Sequence, residues 1–165
     1  MEAVLDNEKK VLQSIAGRFA DVDISKAVTA VRRIFLCVPE AIFMDVLQYA
    51  ASELQFTYLC TITGLDTGAN FEFLYHISRD DGILLTLEYK TGREDPVVIP
   101  SVLPIYNGAT FYERELESLL GVKVDGLPEG RQYPLPDNWP KGEYPLRKDW
   151  KPKEKPPLGK EEQNG

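Results

Sequence analysis

The side chains able to do chemistry in this sequence are mostly carboxylates. There are 26 Asp and Glu but one histidine, His76, and two cysteines, Cys37 and Cys60, with no CxxC pair. A zinc or iron–sulfur site needs three or four thiolate or imidazole ligands, so no metal-ligating set is expected. His76 occupies one position of the alternating run Phe71–Arg79, which places it on a strand face. Both cysteines lie in apolar, strand-like runs and are expected as buried structural thiols. No GxSxG elbow, Walker lysine loop or GxGxxG fingerprint is present, so nucleophilic and nucleotide-cofactor chemistry have no motif to stand on. Acid–base chemistry by carboxylates stays open, although nothing in the spacing brings two of them to one cleft. No catalytic, cofactor-binding or metal residue is assigned.

The informative residues lie further along. Glu113, Arg114 and Glu115 fall in the first turns of a helix predicted over about residues 109–120, where acidic groups are favoured by the helix dipole. Tyr112, Leu116, Leu119 and Leu120 make its apolar stripe, which Glu115 borders, and Gly121 is placed to end it. Beyond it stand Leu135-Pro136-Asp137-Asn138-Trp139-Pro140 and Tyr144-Pro145-Leu146-Arg147-Lys148-Asp149-Trp150. Tryptophans and tyrosines spaced along a stiff segment are contact anchors. Arg147 and Lys148 supply donors for an acidic surface, either on a partner or on the chain's own body.

These segments need a scaffold. Apolar residues at helical spacing (Val4, Leu5, Val11, Leu12, Ile15, Phe19) predict a first helix over about 2–17. Alternation predicts a weak strand over 20–27 and a better one over 30–38, which would point Arg32 and Arg33 to opposite faces. A second helix follows over about 39–54, then strands over 56–63, 71–79 and 83–90, with Asp81-Gly82 turning the last two into a hairpin. The order α-β-β-α-β-β-β predicts an α+β, two-layer domain: a mixed sheet covered by helices. A connector with a short extended piece at Val97-Val98-Ile99 leads to the third helix.

Composition divides the chain. Residues 1–120 hold 10 basic and 18 acidic side chains; residues 121–165 hold 9 and 8, with 8 of the 12 prolines and both tryptophans. The expected domains are an α+β body, residues 1–120, and an extended Pro-rich docking arm, residues 121–165. A net charge of −7 argues against nucleic acid, and no apolar run reaches the length of a membrane span. The N-terminus lacks a signal-peptide pattern, and the chain is expected to be cytosolic.

The E-R-E helix ending in Leu119-Leu120-Gly121-Val122, followed by Pro145-Leu146-Arg147-Lys148-Asp149, resembles the 30 kDa subunit family of respiratory complex I (NADH dehydrogenase). Related subunits occur in membrane-bound, energy-converting NiFe hydrogenases. Phe111, Ser118 and Leu127 depart from the respiratory pattern, where tryptophan, aspartate and histidine are common, and the Leu-Pro-Asp-Asn-Trp-Pro stretch looks closer to the hydrogenase-linked members. The resemblance implies a cofactor-free scaffold subunit, non-catalytic by itself, in an oxidoreductase that couples electron transfer to ion translocation. Its implied partners are the large catalytic subunit (the NiFe-hydrogenase large-subunit homologue) and the adjacent iron–sulfur subunit. It implies a peripheral location on the cytoplasmic side of the membrane, reached only through the complex. The implied partner interface is Glu113, Arg114, Glu115, Trp139, Leu146, Arg147, Lys148, Asp149 and Trp150. The alternatives are a small independent enzyme using carboxylates, or a soluble adaptor.

Overall fold

A computed structural model describes residues 6–20 and 25–152. Its elements are α1 (Asp6–Arg18), β1 (Ser25–Ala30), β2 (Arg33–Cys37), α2 (Phe43–Ser52), β3 (Tyr58–Asp66), β4 (Phe71–Ser78), β5 (Leu84–Thr91), β6 (Val98–Pro100), α3 (Thr110–Leu120) and β7 (Lys123–Asp125). The five long strands form one sheet in the order β1-β2-β5-β4-β3. Its β2–β5 pair is parallel and the others antiparallel. The expected mixed α+β architecture is therefore what the chain adopts.

Alternation decides which face of the sheet is inside. Phe71, Phe73, Tyr75 and Ile77 of β4 are fully buried, as are Leu85, Leu87 and Tyr89 of β5. Register aligns them: Tyr75 faces Leu87 and Ile77 faces Leu85, while Ile34 and Leu36 of β2 face Leu85 and Leu87. Side chains directly opposite across a ladder share a face, so one continuous apolar surface results. Helix α2 covers it with Phe43, whose ring lies 4.7 Å from that of Tyr75 and 4.4 Å from that of Tyr89. Helix α1 contributes Val11 and Ile15. The opposite face is polar: Lys90 pairs with Glu72 at 2.6 Å, and His76 Nδ1 meets Thr86 Oγ1 at 3.0 Å.

Several expectations shift. Arg32 is not on a strand face; it sits in the β1–β2 turn with φ +57°, and its N–H donates to the carboxylate of buried Glu8. The predicted weak strand lies later than expected, at Ser25–Ala30, and residues 21–24 and 2–5 are outside the described residues. Cys60 is exposed and Cys37 half-buried, because both belong to the polar face or edge of the sheet rather than its core. No helix among the described residues is long and apolar enough to cross a membrane.

Helix α3 lies over β3 because β3 presents glycine there. A Cβ on Gly64 would collide with the side chains of Leu116 and Leu120, so the missing side chain is what lets the helix close on the sheet. Gly64→Val is therefore expected to cost about 1–3 kcal/mol by overpacking, read as a lower urea midpoint with unchanged slope. An unchanged midpoint would show that α3 does not rest on this strand.

Candidate functional site

The end of α3 organises everything that follows it. Gly121 stops the helix in the left-handed conformation, φ +71°, which only glycine adopts without strain. A Cβ there would also run into the Tyr144 ring. The chain then enters β7, which pairs in parallel with β6 and buries Val122 and Val124. Residues 123–125 thus pair with a strand that lies before the seam expected at Gly121. Sequence reading missed β7 because three residues are too few to show a period.

The segment expected as an extended arm folds as tight turns from Pro136 onward, with Trp139 N–H donating to Pro136 O (2.9 Å), Arg147 N–H to Tyr144 O (3.1 Å) and Trp150 N–H to Arg147 O (3.1 Å). Pro145 stands at the second position of the Tyr144–Arg147 turn, where it presets φ. Trp139 and Trp150 come together, ring centroids 6.0 Å apart, and Trp139 Nε1 donates to Glu143 O at 2.8 Å.

Arg147 fastens this segment. Its Nε donates to Leu120 O at 2.6 Å, a carbonyl that the end of the helix leaves without an intrahelical partner. Its two terminal nitrogens bind Asp95 at 2.8 and 2.7 Å. The guanidinium also lies over the rings of Phe71 and Tyr144. Beside it, Leu146 N–H donates to Leu119 O at 3.0 Å. Lys148 donates its N–H to Asp66 Oδ2 at 2.9 Å and its Nζ to Thr67 O at 2.9 Å. Asp149 meets Arg93 at 3.1 Å, and Arg93 meets Asp66 at 2.7 Å.

Two carboxylates therefore carry the fastening. Burial alone would raise the Asp66 carboxyl, but the N–H groups of Lys148 and Gly68 and the Arg93 guanidinium outweigh it and hold it below its ordinary value. Asp95 is held below its ordinary value chiefly by its hydrogen bonds to Arg147. Glu113 is the opposite case. It is fully buried, and burial raises its carboxyl even though Val102 N–H and Ser101 Oγ donate to it.

The residues expected at a partner interface thus divide. Glu113 is enclosed and fixes the segment that follows β6. Arg114 donates to Pro128 O at 2.6 Å and holds the start of the turn-rich segment. Glu115 is half-buried beside Thr61 and Thr63. Arg147, Lys148 and Asp149 spend their donors and acceptors on the chain's own body, because Asp66, Arg93, Asp95 and the end of α3 lie within reach. Leu146 stays exposed, as do Phe111 and Tyr133, and the Phe111 and Tyr133 rings meet in a tilted contact, centroids 5.2 Å apart. Sequence reading passed over that aromatic pair because its members lie far apart in the chain.

Two outcomes follow. Arg147→Lys cannot supply both the Asp95 fork and the Leu120 bond, so it is expected to lose most of what Arg147→Ala loses. At about 1.5 kcal/mol, either change should speed proteolytic cleavage within residues 128–150 roughly tenfold. The acid response is set by the lowered carboxylates. The native state sheds these protons more readily than the unfolded chain, so the fastening is complete above the ordinary carboxylate range and is lost as pH falls through the lowered values. Both tryptophans lie in the fastened segment, so their fluorescence should be constant from about pH 8 to 5 and change only below about pH 4. A change near neutrality would contradict the assignment to Asp66 and Asp95.

The chain is similar to known proteins along most of its length. Residues 36–156 match the family model described as respiratory-chain NADH dehydrogenase, 30 Kd subunit. The chain is 33% identical over 145 residues to the C subunit of the F(420)H(2) dehydrogenase of Methanosarcina mazei, covering 86% of this chain and 90% of that one. It is 31% identical over 143 residues to the C subunit of the NADH-quinone oxidoreductase of Brucella ovis, covering 82% and 68%. Its fold matches, at TM-score 0.77 and 24% identity over 88% of this chain and 86% of the other, a chain of the membrane-bound sulfane sulfur reductase, an archaeal respiratory membrane complex.

Proposed function

The chain belongs to the 30 kDa subunit family of respiratory-chain NADH dehydrogenase, and from that premise we propose that it is a scaffold subunit of a complex I-like, membrane-bound oxidoreductase. The family is one of subunits of multi-subunit respiratory complexes. The body packs beside the large catalytic subunit. The turn-rich segment lies across that subunit and the adjacent iron–sulfur subunit, and the chain reaches the cytoplasmic side of the membrane through them. Its part in electron transfer coupled to ion translocation is to hold those subunits in register.

One observation carries this reading: the segment that bears the family's Pro-Leu-Arg-Lys-Asp motif is already fastened to the body, while Leu146, Phe111 and Tyr133 remain exposed on or beside it. A surface ordered in advance loses less conformational entropy on docking, and aromatic groups are the usual anchors. Arg147 and Lys148 therefore shape the docking surface rather than touch the partner. Leu146 and the half-buried Trp139 and Trp150 are the contact groups.

An independent carboxylate enzyme fits less well. Its acid would need a raised pKa and an open approach, and Glu113, the carboxyl raised by burial, is fully enclosed. None of the three proteins named above is a hydrogenase; two are subunits of dehydrogenases or quinone oxidoreductases and one belongs to a sulfur reductase. The oxidoreductase is accordingly read as complex I-like without assigning hydrogen as its donor or product.

The test is affinity recovery of the full chain from detergent-solubilised native membranes. Membrane-spanning and iron–sulfur subunits should co-purify in fixed ratio with it. Recovery of the chain alone, or with soluble proteins only, would favour the adaptor reading and overturn this one.

A further inference from the structure

A second surface is not used by the fastening just described. Between α3 and the turn-rich segment lies an open cleft of about 630 Å³. Arg114, Lys123, Arg131 and Lys141 line it, against only Glu117 and Asp137. This excess of positive charge stands in a chain whose net charge is −7.

The acids in the cleft offset only part of that charge. Asp137 is paired with Arg131, at 3.7 Å. Glu117 accepts Val124 N–H at 3.1 Å. Among the described residues no carboxylate comes within ion-pair distance of Arg114, Lys123 or Lys141. Arg114 is held by Pro128 O, and Gly130 lies so close over its guanidinium that any side chain there would collide with it. Gly142, with φ +78°, faces open space where a side chain would be. The cleft is thus lined chiefly by cations, with Gly130 making room for the Arg114 guanidinium.

One flank is apolar. Phe111, Arg114 and Ser118 share one face of α3, being three and four residues apart, and Ser118 Oγ accepts Tyr133 N–H at 3.2 Å. The exposed, tilted Phe111–Tyr133 pair, with Phe111 62% and Tyr133 42% exposed, therefore continues the cleft along the helix. A small inorganic anion would gain nothing from these rings. Nucleic acid carries phosphates along its whole length and needs a basic footprint that continues beyond the cleft, whereas the chain as a whole is acidic. A peptide carrying carboxylates beside an apolar side chain uses both parts, in the pattern of an aromatic anchor next to charge-complementary contacts.

We propose that this cleft binds an acidic segment of a neighbouring protein subunit, its carboxylates on Lys123, Lys141 and Arg114 and an apolar side chain on the Phe111–Tyr133 pair. The proposal rests on the scaffold reading and adds to it a specific contact and its chemistry.

The experiment is zero-length carbodiimide cross-linking of the native membrane complex, which joins lysine amines only to carboxylates in direct contact, followed by peptide mapping. Peptides containing Lys123 or Lys141 should be joined to Asp or Glu of another subunit. Those products should vanish in a Lys123→Gln, Lys141→Gln double variant, in which two exposed lysines change and the core does not. The variant complex should also release this chain at a salt concentration at least about twofold lower, since fewer screened charge pairs hold it. If the chain is recovered in its complex but both lysines link only to Glu117 or Asp137 of the same chain, or to nothing, the cleft proposal is overturned while the scaffold reading stands. If the chain is recovered without partner subunits, the scaffold reading falls and this proposal with it.

Discussion

A helix must end somewhere, and the carbonyls of its last turn must find donors. In this chain two neighbouring distant residues meet that requirement at the end of α3, Leu146 through its N–H on Leu119 O and Arg147 through its side chain on Leu120 O, and the architecture beyond Gly121 depends on them. The guanidinium takes Leu120 O, binds Asp95 through both terminal nitrogens and covers Phe71 and Tyr144. A cation at the negative end of the helix dipole is favourable as well. Gly121 is needed twice over, for its left-handed φ and for the space that Tyr144 occupies. Fixing these few groups turns a proline-rich segment that has no period of its own into a series of hydrogen-bonded turns.

The acidic helix start works in the other direction. Glu113 reaches back to Ser101 and Val102 and so ties the connector after β6 to α3, while β7 returns to pair with β6. Burial raises the Glu113 carboxyl, so its charge opposes folding at neutral pH, whereas Asp66 and Asp95 favour it. The Glu113 cost is accepted because the carboxylate answers two donors that would otherwise be buried unsatisfied. The sequence Glu113-Arg114-Glu115 thus serves three separate purposes within one turn: a buried tie, a grip on Pro128, and a half-buried group beside β3.

Much of the fold was legible because its cause is local. The alternation of Phe71, Phe73, Tyr75 and Ile77, the Asp81-Gly82 turn and the Gly121 stop each follow from one or a few adjacent residues. What was not legible depends on separation in sequence. Arg147 is 52 residues from Asp95 and Lys148 is 82 from Asp66, so a motif that reads as free donors is in fact occupied. Cys60 looked buried because its neighbours are apolar, but it lies on an edge strand. Alternation alone carries a strand through the turn between β1 and β2, because nothing near Arg32 announces that Glu8 will hold it. Which residues of the Glu113–Glu115 and Leu146–Trp150 stretches face outward is decided by contacts between residues far apart in the chain, which only the tertiary structure supplies.

The central claim is that the segment carrying Arg147 and Lys148 is ordered by its own body before any partner binds. Amide hydrogen exchange of the isolated chain measures this directly. Leu146 N–H, donated to Leu119 O, and Lys148 N–H, donated to Asp66, should be protected to within about tenfold of the amides in α3. Exchange of these two amides at the rate of an unstructured peptide, with α3 still protected, would show that the segment is ordered only by a partner and would contradict the account.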